Sequence, residues 1–205
     1  MQRHSLGVIP FRPTRRPLLR LPLTNSPGRK AAQISVLPEF ESVQPFRHER
    51  WHEIESFSPN ILVGYAFDLR RFAEKSRARE LQVPSVDRAI FALTDCGSNP
   101  LADPLRDQLW HLFGVPIYEL IIAPGCRLLA AECEAHDGWH LQDGVEAYLV
   151  RDHLIYDAPP LNGLHTGFTG QIDTAPCACG RPTVRLKNLA PHLPRPFERR
   201  IAAVA

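Results

Sequence analysis

The chain has 205 residues, 44% of them hydrophobic and 22% charged, which suits one medium soluble domain with or without an arm, since domains usually run about 100–200 residues. No stretch approaches the roughly 18 apolar residues that a membrane-spanning helix needs, and the 20 prolines disfavour long helices and coiled coils. The net charge of +2 is uneven: residues 1–38 hold seven basic and no acidic side chains, leaving 17 basic against 22 acidic elsewhere.

Residues 1–40 read as a basic, Pro-rich arm. Its cations, Arg3, Arg12, Arg15, Arg16, Arg20, Arg29 and Lys30, suit an anionic partner. Six prolines interrupt them, and no interleaved aromatics form a stacking platform, which argues against nucleic acid. The same prolines spoil the amphipathic helix of a transit peptide, and no apolar signal core is present, so the cytoplasm is the expected location. Residues 41–58 form a polar transition with aromatics able to dock on a core.

Regular structure is expected from about residue 60. Leu69, Phe72, Ala73 and Leu81 among charged residues predict an amphipathic helix over 68–81, stopped by Pro84. Residues 89–93 (AIFAL) read as a buried strand. A second helix follows over 104–113, with Asp103 as N-cap, Pro104 at its first position and Gly114 closing it. Residues 115–122 (VPIYELII) then read as a second buried strand, completing a βαβ unit with a parallel pair. Beyond Pro124, short β-like runs between Gly, Asp and Pro signals predict a small antiparallel sheet or barrel. The expected class is therefore α/β: a partial parallel sheet followed by a small antiparallel β subdomain.

Five cysteines are an odd number and too few for a disulfide scaffold. Cys133 and His140 stand close together in AECEAHDGWH, and Cys177 and Cys179 form a tight clip before Gly180. Three thiolates and an imidazole are the donor set of a closed tetrahedral zinc site. The spacing is not that of a common zinc finger, and His136 is a rival fourth ligand. A packed Cys133 with free thiols at 177 and 179 is the competing reading. A disulfide within the clip would be strained, and a reducing cytosol opposes it. Glu132, Glu134 and Asp137 flank the ligands, as acidic surface residues beside a turn commonly do, so a hydrolytic zinc site is the weaker reading. Cys96 and Cys126 have no partner in this scheme and are read as structural.

The order of motifs resembles the phenylacetate–CoA ligase branch of the adenylate-forming enzymes over roughly residues 58–189. The stretch NILVGYAFDLRRFAEKSRARELQVPSVDRAIFALTDCGSNPL looks like the branch's helix and strand before a Gly-x-x-Pro-Leu turn, which Gly97, Pro100 and Leu101 match. RDQLWHLFGVPIYEL resembles the approach to the Tyr-Gly-x-Ser/Thr-Glu motif, and LLAAECEAHDGWHL its Ala-x-Glu-Cys and Gly-Leu-His. HTGFTGQIDTAPCACGRPTVRL resembles the Thr-Gly-Asp segment and Cys-x-Cys-Gly-Arg. Members of that branch often hold a structural zinc at these places, which implies Cys133, His140, Cys177 and Cys179 as ligands here.

Departures from the family pattern bear on function. The residues 24–30 are a poor phosphate-gripping loop. Glu119 replaces the motif glycine, Ile122 falls where the metal-holding glutamate is expected, and Phe168 replaces the ribose-binding aspartate. A phenyl ring offers no acceptor for a ribose hydroxyl. The resemblance thus implies a truncated, degenerate relative, with room neither for a full nucleotide-binding subdomain nor for the mobile C-terminal domain. Its expected role is non-catalytic: an accessory or acyl/aryl-ligand-binding protein, with a candidate pocket near Cys96, Gly97 and Tyr118. A subunit of a split acyl-activating enzyme is the alternative. A parallel sheet edge left without neighbours must be paired or covered, so a homodimer or a partner protein is expected, with the basic arm as a possible cover.

Overall fold

The computed structural model describes residues 21, 28–36, 39–159 and 161–191. Its strands and helices, in chain order, are β1 (Ala31–Gln33), β2 (Val43–Pro45), α1 (Glu53–Phe57), β3 (Ile61–Tyr65), α2 (Ala66–Arg77), β4 (Ala89–Asp95), α3 (Asp103–Phe113), β5 (Ile117–Ala123), β6 (Arg127–Glu132), β7 (Trp139–Leu141), β8 (Glu146–Val150), β9 (His153–Ala158), β10 (Leu161–His165), β11 (Phe168–Asp173) and β12 (Arg185–Pro191). Nine strands form one sheet in the order β11-β12-β7-β6-β5-β4-β3-β1-β2, and β10-β9-β8 form a second. From β2 to β5 every pairing is parallel; from β5 to β11 every pairing is antiparallel.

This is the expected α/β class, with the antiparallel half divided differently. Four of its strands extend the parallel sheet, and only β8–β10 stand apart. Two βαβ units are present, β3-α2-β4 and β4-α3-β5. Every residue of β5, and all of β4 except Asp95, is buried, as parallel strands covered on both faces must be. On one face Ile90, Ala92 and Ile117 pack with Leu69, Phe72, Leu105 and Leu109 of the helices. On the other, Phe91, Leu93, Tyr118, Leu120 and Ile122 form a separate core. The small sheet closes on the helix-bearing face, where Leu154 and Tyr156 of β9 meet Ile121, Leu129 and Phe168.

Three local expectations are corrected. Order begins well before residue 60, because β1 lies inside the stretch read as the arm; Ala31, Ala32 and Gln33 are buried there and pair with β2 and β3. The Ser35 hydroxyl accepts the Tyr65 N–H at 2.8 Å and donates to Asp68 at 2.6 Å, tying this segment to the start of α2. Residues 1–20 and 22–27, most of the predicted arm, lie outside the described residues. The 68–81 helix runs instead over Ala66–Arg77, and Leu81 is buried beyond its end. Ala102, not Asp103, is the N-cap of α3; no side chain caps that end, and Gly114 closes the helix as expected. Among the described residues, no helix is long and apolar enough to cross a membrane.

Candidate metal centre

Four side chains, one from β7 and three from two separate turns, converge at one place. Cys133 directly follows β6, His140 lies within β7, and Cys177 and Cys179 sit in the connection between β11 and β12. In the sheet, His140 is paired with Ala131 on one side and Arg185 on the other. Each turn is closed by its own backbone. The Cys133 N–H donates to the Gly138 carbonyl at 3.1 Å, and the Gly180 N–H to the Cys177 carbonyl at 3.0 Å. Gly138 and Gly180 both take positive φ, 104° and 78°, a conformation that costs a Cβ-bearing residue energy.

The donor atoms of Cys133, His140, Cys177 and Cys179 all lie within 4.8 Å of one another. The Cys133 and Cys177 sulfurs are 3.7 Å apart, and Cys179 Sγ is 3.2 Å from His140 Nε2. All five cysteines are free thiols. The first three donor residues are buried and Cys179 is half-buried. His140 Nδ1 lies 2.8 Å from the Thr183 hydroxyl and 3.2 Å from the Thr183 carbonyl oxygen. A carbonyl only accepts, so an Nδ1 proton directed at Thr183 would leave the Nε2 lone pair free for a metal ion. Burial pushes the Cys133 thiol up. The Cys177 thiol is pushed down to about 6, first by the Cys179 N–H and then by its hydrogen bonds to His140 and the flanking thiols. The group can hold a metal ion.

His136 does not join it. Its Nδ1 donates to Glu132 at 2.9 Å, and its ring stacks on Tyr118 with centroids 5.0 Å apart. Glu132 also accepts from both terminal nitrogens of Arg106 and from the Glu119 N–H. Of the flanking acids, Glu134 pairs with Arg181 at 3.2 Å, and Asp137 is held below its usual range by Lys187 first and then by Arg185. The buried Arg185 was not singled out in the sequence. It donates to Asp137 in the first turn, and to Asp173 at 2.8 Å and the Ala175 carbonyl at 3.2 Å in the second.

The residues of the candidate ligand pocket fall in two packing clusters. Tyr118 packs with Phe91 and Leu120 on one face of the sheet, whereas Cys96 packs with Ile121 and Tyr156 on the other. Gly97 stays beside Cys96, where its carbonyl oxygen is approached closely by Gly167. Ile122 and Phe168, at the two positions where the resemblance expects nucleotide-binding carboxylates, are both buried in apolar clusters.

No protein-family model matches the chain, and no curated protein matches it. Solved structures do. A 2-hydroxyisobutyryl-CoA ligase in complex with 2-HIB-AMP and CoA aligns at a TM-score of 0.61 with 14% identity, covering 78% of this chain and 44% of that one. A long-chain-fatty-acid-CoA ligase from Archaeoglobus fulgidus aligns at 0.53 with 10% identity, covering 78% and 43%. An anthranilate CoA ligase in complex with anthranoyl-AMP aligns at 0.50 with 12% identity, covering 77% and 39%.

The chain has the fold of part of an acyl-CoA ligase. It spans less than half the length of each of these ligases. In the CoA-ligase fold of this chain, the four-donor group occupies the antiparallel extension of the large sheet, where β6, β7 and β12 meet.

Proposed function

We propose that the chain is a zinc-stabilised, non-catalytic module of the adenylate-forming fold, related to the phenylacetate–CoA ligase branch. Cys133, His140, Cys177 and Cys179 would hold the ion. A tetrahedral site with zinc–sulfur bonds of about 2.3 Å separates its sulfurs by about 3.7–3.8 Å, and the 3.7 Å between Cys133 and Cys177 fits that edge. The ion supplies a rigid four-way crosslink there; with four protein donors and no open position it does no chemistry on a substrate.

The observation that carries the non-catalytic reading is the burial of Ile122 and Phe168. Apolar side chains packed into the core at those positions offer neither a ligand for Mg²⁺ nor an acceptor for ribose. The proposed role is that of a cytoplasmic accessory or acyl/aryl-ligand-binding protein, acting as a homodimer or on a partner protein.

Titration calorimetry of the purified chain with MgATP tests the reading, together with pyrophosphate release in the presence of an aromatic acid. No binding and no pyrophosphate are expected. Saturable ATP binding with pyrophosphate release would overturn the reading in favour of a subunit of a split acyl-activating enzyme.

A further inference from the structure

Glu119 follows Tyr118 in β5 and therefore points to the opposite face of the sheet, between the helix-packed core and the small sheet. It is 1% exposed. Its Oε1 accepts two hydrogen bonds of 2.6 Å, from the Thr94 hydroxyl and from the Leu101 backbone N–H. Its Oε2 is buried without a hydrogen-bond partner, and so is the hydroxyl of Tyr156 on β9. Tyr156 is fully buried and shares its cluster with Cys96. Burial first, and then the nearness of Cys96 and Glu119, pushes the Tyr156 hydroxyl well up.

An ionised, half-bonded carboxylate in such a place is costly. Arg106 makes no hydrogen bond to it and offsets the cost only from a distance, because that guanidinium is taken by the Ile117 carbonyl at 2.6 Å and by Glu132 at 3.0 and 3.2 Å. Burial accordingly raises the Glu119 carboxyl above the ordinary range. With both available bonds made to Oε1, a retained proton belongs on Oε2, which then needs an acceptor. The Tyr156 hydroxyl can donate as well as accept. Two orphaned polar groups in an otherwise apolar seam are what an internal water satisfies, since buried waters typically make two to four hydrogen bonds to such groups.

We propose that Glu119 stays a carboxylic acid inside the fold, and that its Oε2–H and the Tyr156 hydroxyl bind one ordered water between β5 and β9. The site takes a small neutral molecule able both to donate and to accept, and it disfavours ions. It fastens the 97–101 loop, which is held at one end by the Leu101 N–H on Oε1 and at the other by the Gly167 N–H on the Cys96 carbonyl at 3.2 Å.

The full chain tests this in two ways. Difference infrared spectroscopy at neutral pH should show the C=O band of a protonated carboxylic acid in the parent protein and none in Glu119→Gln. A high-resolution crystal structure of the parent should show a water within hydrogen-bond distance of Oε2 and of the Tyr156 oxygen; in Tyr156→Phe it should be lost or displaced. Absence of the band, an empty seam, or a direct Oε2–Tyr156 bond would each overturn the proposal, and the parent structure decides it even if the Tyr156 variant does not fold.

Discussion

His140 Nε2 lies 3.2 Å from Cys179 Sγ although 39 positions separate the two residues in sequence. Thr183, four residues past Cys179, orients the same ring through Nδ1. Groups that orient a metal-binding imidazole typically contribute about 10–100-fold in affinity. Thr183→Val should therefore weaken metal retention by roughly that factor, measured by chelator competition, with the fold unchanged by circular dichroism. An unaltered affinity would mean that the Thr183 carbonyl alone is sufficient.

Arg185 joins the two cysteine-bearing turns through Asp137 and Asp173, and Lys187 bridges the same two aspartates at 2.8 and 3.1 Å. Removing the guanidinium leaves Lys187 to hold the two aspartates and takes the Arg185 donors from the Asp137 and Ala175 carbonyls, and removing the buried member of such an ionic network is destabilising. Arg185→Met should lower the melting temperature on the order of 10 °C and weaken metal retention. Lys187→Met, at the more exposed member, should change the melting temperature far less.

Gly138 and Gly180 both need positive φ, but their surroundings differ. A Cβ at Gly138 would collide with the Leu186 carbonyl oxygen, while one at Gly180 would meet nothing within 4 Å. Gly180→Ala should cost roughly 1–2 kcal/mol, the penalty of the left-handed backbone. Gly138→Ala should cost clearly more, because β12 must also move. Chemical denaturation of the pair measures the difference, and equal costs would contradict the close approach of this turn to β12.

The core and the two helices were legible because their signals are local: apolar periodicity, Pro104 near a helix start and Gly114 at its end. The donor set was legible as chemistry, since three cysteines and a histidine in two clusters imply one ion. The choice of His140 over His136 was not, because strand parity and the Glu132 contact decide it, and both depend on how β6, β7 and β12 pair. β1 was missed because Ala31–Gln33 is too short for a periodic signal; its burial comes from pairing with β2 and β3. Cys96 and Tyr118 stand near one another in the order of motifs, yet their side chains pack on opposite faces of the sheet, which strand pairing decides.

Glu119 links stability to pH. Burial raises its carboxyl in the folded state, with Glu132 adding to the rise, while Thr94, the Leu101 N–H and Arg106 oppose it. The folded protein thus binds this proton more tightly than the unfolded chain. The resulting stabilisation is complete below the ordinary carboxylate range and is lost as pH rises through the higher folded value. Glu119→Gln does not titrate, so melting temperatures across that window should fall less steeply with pH than those of the parent. Parallel curves would show that Glu119 is not the group responsible.

The proposed zinc ion would be held by Cys133, His140, Cys177 and Cys179. Zinc stoichiometry of the purified full chain, compared with single Cys→Ser variants at all five cysteines, tests this claim most directly. One zinc per chain, lost on substitution at 133, 177 or 179 and retained at 96 and 126, is the expected result. A metal-free parent protein, or zinc that survives all three substitutions, would contradict the claim.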